Sequence, residues 1–145
     1  MMKYLFDTNT LIAALVESHP HHNQALPWLQ KVHRKEIEGC ISIHTIAELY
    51  AVISRYPALQ PISPDIVVEQ IEDEILSYFE VIALTPDEYH SIIQHLAQIG
   101  IVGGTVYDAV IVYAGIKANV DHLLSFNAKH FRRVYPAVAH KIIVP

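Results

Sequence analysis

The apolar run Lys3-Tyr4-Leu5-Phe6 ends on a carboxylate, Asp7, and Thr8-Asn9-Thr10 follows at once. A buried strand that delivers an acid to its C-terminal end places it where open α/β sheets hold their ligands. Glu48 lies just past a second apolar run, in the first turn of the helix expected there. Asp108 follows Gly103-Gly104, in the first turn of another. Strand-to-helix junctions of a parallel sheet share one edge, so the pattern brings Asp7, Glu48 and Asp108 together. Two like charges ~5 Å apart cost about 3 kcal/mol at an effective dielectric of ~20. A divalent cation relieves that repulsion. Mg²⁺ and Mn²⁺ take oxygen ligands and keep several waters, so two or three carboxylates suffice. A second reading stands beside this one. Thr45 to Glu48 and Thr105 to Asp108 both fit the capping-box spacing, and Asp7 fits an N-cap.

These acids need a scaffold, and the rest of the chain spells one. The expected strands are Lys3–Phe6, Cys40–Ile43, Glu80–Leu84, Asp121–Ser125 and Lys141–Val144. Between them the apolar spacing predicts helices at Asn9–Glu17, His22–His33, Thr45–Ser54, Pro64–Tyr78, 86–98 and Val106–Ala118, with a short turn at Ala128–Phe131. Thr8 or Asn9 is the expected cap of the first helix, and residues 56–64, with three prolines, the expected loop. Strands alternating with helices, and no tight hairpin, imply an α/β fold. The expected architecture is a three-layer α/β/α sandwich around a mostly parallel sheet of four or five strands. At 145 residues the chain reads as a single domain, 1–145.

Composition narrows the function classes. Apolar residues make up 52% and charged residues 17%, which suits a large core and excludes a disordered chain. No run approaches the ~20 apolar residues of a membrane span. The N-terminal apolar run is too short for a secretory signal and is broken by Asp7, so the cytoplasm is the expected compartment. The single Cys40 sits in an apolar run and reads as a core residue. A formal charge of −5 disfavours gripping nucleic acid by bulk charge. It leaves room for a nuclease whose acids bind cations, because the cations invert the local field. His19, His21 and His22 suit turn or cap roles. Tyr107 suits core or rim packing, and His44 lies near the presumed site. Apolar stripes, Val67, Ile71 and Ile75 or Ile12 and Val16, are expected to face a partner.

Four blocks resemble the signature of the PIN domain, in particular the small VapC-type toxins of toxin–antitoxin pairs. They are Phe6-Asp7-Thr8-Asn9, Ile43-His44-Thr45-Ile46-Ala47-Glu48-Leu49, Gly103-Gly104-Thr105-Val106-Tyr107-Asp108-Ala109 and Leu124-Ser125-Phe126-Asn127-Ala128-Lys129-His130-Phe131. They fall in the family's order and span nearly the whole chain. The resemblance implies a PIN-like sheet and a Mg²⁺- or Mn²⁺-dependent endoribonuclease that hydrolyses RNA phosphodiester bonds. It places catalytic, metal-binding acids on Asp7, Glu48 and Asp108. The family's fourth acidic position falls on Asn127, which offers an oxygen but no charge. Thr8, Asn9, Thr105 and Ser125 would orient those carboxylates or the substrate phosphate. Lys129, His130 and Arg132 would contact RNA. The resemblance also implies a homodimer and a cognate VapB-like antitoxin.

Two rival readings share these residues. One is a phosphatase-like hydrolase with an aspartyl nucleophile at Asp7, weakened because position 9 is Asn and not a second acid. The other is a non-catalytic protein-binding domain in which the acids only cap helices.

Overall fold

Five short apolar runs pair as one sheet in the order β3-β2-β1-β4-β5, every pair parallel. The computed structural model describes residues 1–57 and 60–145. The strands are β1 (Lys3–Phe6), β2 (Glu38–Ser42), β3 (Glu80–Ile82), β4 (His122–Leu124) and β5 (Ile142–Ile143). The helices are α1 (Thr8–Leu15), α2 (His22–His33), α3 (Ile43–Ile53), α4 (Pro64–Gln70), α5 (Pro86–Gln98), α6 (Thr105–Lys117) and α7 (Ala128–Val134). A π-helical segment, Ile71–Leu76, continues α4, and a 3₁₀ segment, Pro136–Lys141, precedes β5.

Successive strand side chains point to opposite faces, and the two cores follow that alternation. Phe6, Ile41 and Leu124 pack with α1 to α4. Leu5, Cys40, Leu123 and Ile142 pack with α5 to α7. The two sets of helices correspond to two directions of travel. From β1 the chain moves through β2 to β3, then crosses to β4 and β5 on the other side of β1. Right-handed crossovers put the helices of each direction on opposite faces. The reversal lies between β1 and β4, where such sheets open a crevice beyond the strand ends.

The expected strand β1, helix α2 and helix α5 are found as read. Helix α5 carries a full capping box, Thr85 with Glu88, and Lys117 reaches from the end of α6 to Glu88 at 2.7 Å. Cys40 is fully buried, and burial pushes its thiol up to about 12.

Several expectations are corrected. Helix α1 starts at Thr8, with Asp7 and not Thr8 or Asn9 as its N-cap. Strand β2 stops at Ser42, whose side chain caps α3, so α3 begins at Ile43. Strands β3, β4 and β5 are shorter than expected, and the helical turn after residue 127 extends to Val134. The long fourth helix changes to π geometry at Ile71, where Ser77 N–H reaches Glu72 O at 3.1 Å. Of the expected 56–64 loop, positions 58 and 59 lie outside the described residues. Val67, Ile71, Ile75, Ile12 and Val16 form no exposed stripe, because all five are buried in the core that α1 to α4 share. The π-helical segment keeps Ile75 in that core. Tyr50, Val68 and Leu76 are exposed instead, and with Ile46, Ala47, Ile71 and Glu72 they line a groove of about 430 Å³.

Gly39 in β2 permits one close approach. A Cβ there would lie 2.5 Å from the Phe79 ring and 3.0 Å from Val32. Phe79 is itself pinned edge-on to Phe6, centroids 5.1 Å apart. Gly39→Ala should therefore destabilise the fold by about 1–3 kcal/mol, as overpacking does. Urea denaturation with an unchanged midpoint would refute this.

Candidate active site

Asp7 is the residue that β1 leaves at the crevice. It is 2% exposed. Its backbone N–H still pairs with Leu124 O of β4 at 3.1 Å, so its position is set by the sheet. One carboxylate oxygen accepts the Thr10 N–H at 2.7 Å, which caps α1. The other accepts the Ser125 hydroxyl at 2.6 Å. Ser125 Oγ in turn accepts the Asn127 backbone N–H at 2.9 Å. Burial raises the Asp7 carboxyl to about 6, against the downward pull of Ser125 and Thr10, and the field of Asp108 adds to the rise.

Asp108 lies in the first turn of α6 and is half-buried. Its carboxyl is raised by burial, lowered by the neighbouring His130 and raised again by Glu48. Glu48 is one turn further into α3 than the sequence suggests, because Ser42 and not Thr45 is the cap. Thr8 Oγ1 hydrogen-bonds Glu48 Oε1 (2.9 Å) and Thr45 Oγ1 (3.0 Å). His44 Nε2 stands 3.5 Å from the same Glu48 oxygen. Helix α6 opens on Gly104 with no side-chain cap. The capping-box reading therefore fails for Glu48 and Asp108. It holds for Asp7, which is an N-cap and a crevice acid together.

The remaining expected residues divide. Thr8 and Ser125 are buried and touch the acids directly. Thr105 is the first residue of α6, half-buried. Asn127 acts through its backbone, and its side chain makes no capping bond to α7. Asn9, Lys129 and Arg132 are exposed, and His130 of the basic trio acts on an acid, Asp108. Asp121 sits at the opposite edge, where it accepts the Lys3 N–H at 2.8 Å. His22 Nδ1 pairs with Ala13 O and His19 Nδ1 accepts the His21 N–H, so these histidines serve the turn. Of the core and rim readings of Tyr107, the structure favours the rim: it is 53% exposed and stacks on His44.

Among the described residues no three His, Cys, Asp or Glu side chains form a ready-made metal cage. The donor set still suits a hard divalent cation. It consists of carboxylate oxygens, with Asp108 raising the pKa of Asp7 and Glu48 that of Asp108, and the one thiol is buried in the core. Mg²⁺ in particular is usually held by one or two carboxylates, with waters and substrate phosphate completing the shell.

The PIN domain family model matches residues 4–136. The chain belongs to the PIN domain family. Ribonuclease VapC40 of Mycobacterium tuberculosis is 30% identical over 118 residues, 81% of each chain. Ribonuclease VapC27 of the same species is 29% identical over 115 residues, 79% of this chain and 78% of its own. Among solved structures, VapBC2 from Rickettsia felis bound to a promoter DNA fragment superposes with a TM-score of 0.64. It is 23% identical and covers 99% of this chain and 98% of that one. At that identity the likeness concerns the fold.

The raised Asp7 carboxyl has a thermodynamic signature. Its ordinary value is 3.8, and the folded chain raises it to about 6. Between those values the folded state holds the extra proton. The contribution of Asp7 to the stability of the metal-free protein therefore falls as pH rises from about 4 to about 6 and is level above. The gap corresponds to about 3 kcal/mol. In EDTA, Asp7→Asn should remove this loss, and denaturant titrations should find the variant more stable than wild type at pH 8 but not at pH 4. Parallel pH profiles would refute the assignment.

Proposed function

We propose that the chain is a divalent-metal-dependent endoribonuclease, the toxin of a VapBC-type pair, with Asp7, Asp108 and Glu48 as its catalytic acids. The observation that carries this reading is the buried Asp7 carboxylate, held at the β1–β4 crevice within the field of Asp108. The family membership and the names of the two ribonuclease relatives support the substrate and reaction class.

Mg²⁺ or Mn²⁺, when bound, lowers the pKa of a water and offsets phosphate charge at the scissile bond. Asp7 and Asp108 would hold the ion, and Glu48 would hold one of its waters. Ser125 and the Thr10 N–H fix the Asp7 carboxylate plane, and Thr8 does the same for Glu48. The first-turn N–H groups of α3 and α6 add donors for phosphate. His130, beside Asp108, would contact the RNA backbone, with Lys129 and Arg132 further out on α7. An aspartyl-phosphate route would need an acid two residues after Asp7. Asn9 supplies none, and its side chain is exposed.

The proposed partners are RNA, a small VapB-like antitoxin and a second copy of the chain. The VapBC2 complex among the structural relatives supports the antitoxin. The proposed compartment is the cytoplasm. Among the described residues no helix is long and apolar enough to cross a membrane.

Purified protein with Mn²⁺ or Mg²⁺ should cut RNA, and EDTA should abolish the cleavage. Asp7→Asn and Asp108→Asn should each lower kcat by at least about 100-fold, the scale of losing one charge-stabilising group. Ser125→Ala should lose about 10- to 100-fold in metal affinity or activity, as partners of metal ligands do. Cleavage by Asp7→Asn at the wild-type rate would overturn the reading. Coexpression with the protein encoded beside it should silence the nuclease.

A further inference from the structure

Tyr107 occupies the first turn of α6, immediately before Asp108. Its ring lies parallel to the His44 imidazole, with planes 5° apart and centroids separated by 5.2 Å. His44 sits in the first turn of α3 and faces Glu48 Oε1 at 3.5 Å. The pair therefore bridges the two helices that carry Glu48 and Asp108. A tyrosine recruited for packing buries its apolar body. Tyr107 does not: it is 53% exposed, while His44 backs it. The result is an aromatic surface, rigidly backed, at the rim of the acidic site.

We infer that Tyr107, backed by His44, is a platform on which an unpaired base of the RNA stacks beside the scissile phosphate. The inference rests on the ribonuclease reading and adds the residue pair that positions the base next to the cleaved bond. Every base offers a π-face, so aromatic side chains bind unpaired bases with little sequence preference. Bases within a duplex already stack on each other and cannot use such a surface. The Tyr107 ring lies 5.2 Å from the His44 ring, whose Nε2 is 3.5 Å from Glu48 Oε1. A base on Tyr107 and a phosphate at the carboxylates therefore belong to the same nucleotide or to neighbours. His44 fixes the tilt of the ring, and its contact with Glu48 ties the platform to the carboxylates. Both residues are positioning groups for the substrate.

The test uses the full chain with Mn²⁺ and a single-stranded oligoribonucleotide that the wild type cuts, carrying 2-aminopurine next to the cleaved bond. Tyr107→Leu keeps apolar bulk and removes the π-face. It should raise KM by about tenfold while kcat changes far less, the scale of one stacked base. Stopped-flow quenching of 2-aminopurine before cleavage should be present in wild type and lost in Tyr107→Leu. Tyr107→Phe should restore both KM and quenching. If Tyr107→Leu matches wild type in KM and quenching, the platform is refuted and the ribonuclease reading stands. A duplex cut with the same KM and the same dependence on Tyr107 would refute the unpaired-base requirement. If the wild type cuts no RNA, the ribonuclease reading falls and the platform with it.

Discussion

The structure depends on one buried charge. Asp7 is sealed at the point where the sheet reverses direction, with its own N–H bonded to β4 and its carboxylate bonded to Ser125 and to the first turn of α1. Three elements thus meet on one side chain: β1 delivers it, α1 is capped by it, and the segment after β4 holds it. A carboxylate in that position is unfavourable on its own, since loss of water outweighs the two hydrogen bonds and leaves its pKa raised. The strand and the helix would be satisfied by a neutral cap such as Ser or Asn, both good N-caps. The excess charge is what the fold retains at a cost in stability, and in the proposed function it is the part that a cation would use.

The other two acids are arranged differently, and the difference matters. Asp108 is half-buried and lies between an attractive His130 and a repulsive Glu48. Glu48 is held by Thr8, the residue after Asp7, through a hydrogen bond that also engages Thr45. The loop from Asp7 to Thr8 therefore positions two of the three acids, one by burial and one by a hydroxyl. Helix α3 and helix α6 have no acidic cap to satisfy, because Ser42 serves α3 and α6 opens on Gly104. Neither Glu48 nor Asp108 has a role in closing its own helix: Glu48 Oε1 is engaged by Thr8 and His44 instead.

Much of this was legible in the residues, for identifiable reasons. Strand β1 and helices α2 and α5 carry clear stop signals, and α5 has the unambiguous Thr85-Pro86 start with Glu88. The start of α3 was not legible because Ser42 and Thr45 are both plausible caps. Only the third dimension shows that Thr45 is committed to Thr8. The five buried aliphatic residues of α1 and the α4 region were read as a partner face because periodicity reveals an apolar stripe and not what covers it. Here α1 to α4 cover one another. The π-helical turn at Ile71 is a matter of backbone bonding, for which Ile71-Glu72-Asp73-Glu74 gives no signal. Core and rim stayed open for Tyr107 because α6 is apolar nearly all round, so its sequence does not tell the solvent face from the core.

Asn127 shows how a site can lose a charge without losing its geometry. The resemblance to the PIN signature puts an acid at this position, and this chain has an amide. What holds Asp7, however, is Ser125, and what holds Ser125 is the backbone N–H of residue 127. That hydrogen bond is indifferent to the side chain, so the Asp7 carboxylate keeps its orientation whether residue 127 is Asn or Asp. A fourth carboxylate here would add repulsion to a cluster in which Asp108 already raises the pKa of Asp7, and Glu48 that of Asp108. With Asn127, less charge has to be neutralised before the crevice is electrostatically satisfied. In the proposed function, Asp7 and Asp108 would hold one cation, and Asn127 would offer a second one an oxygen but no charge.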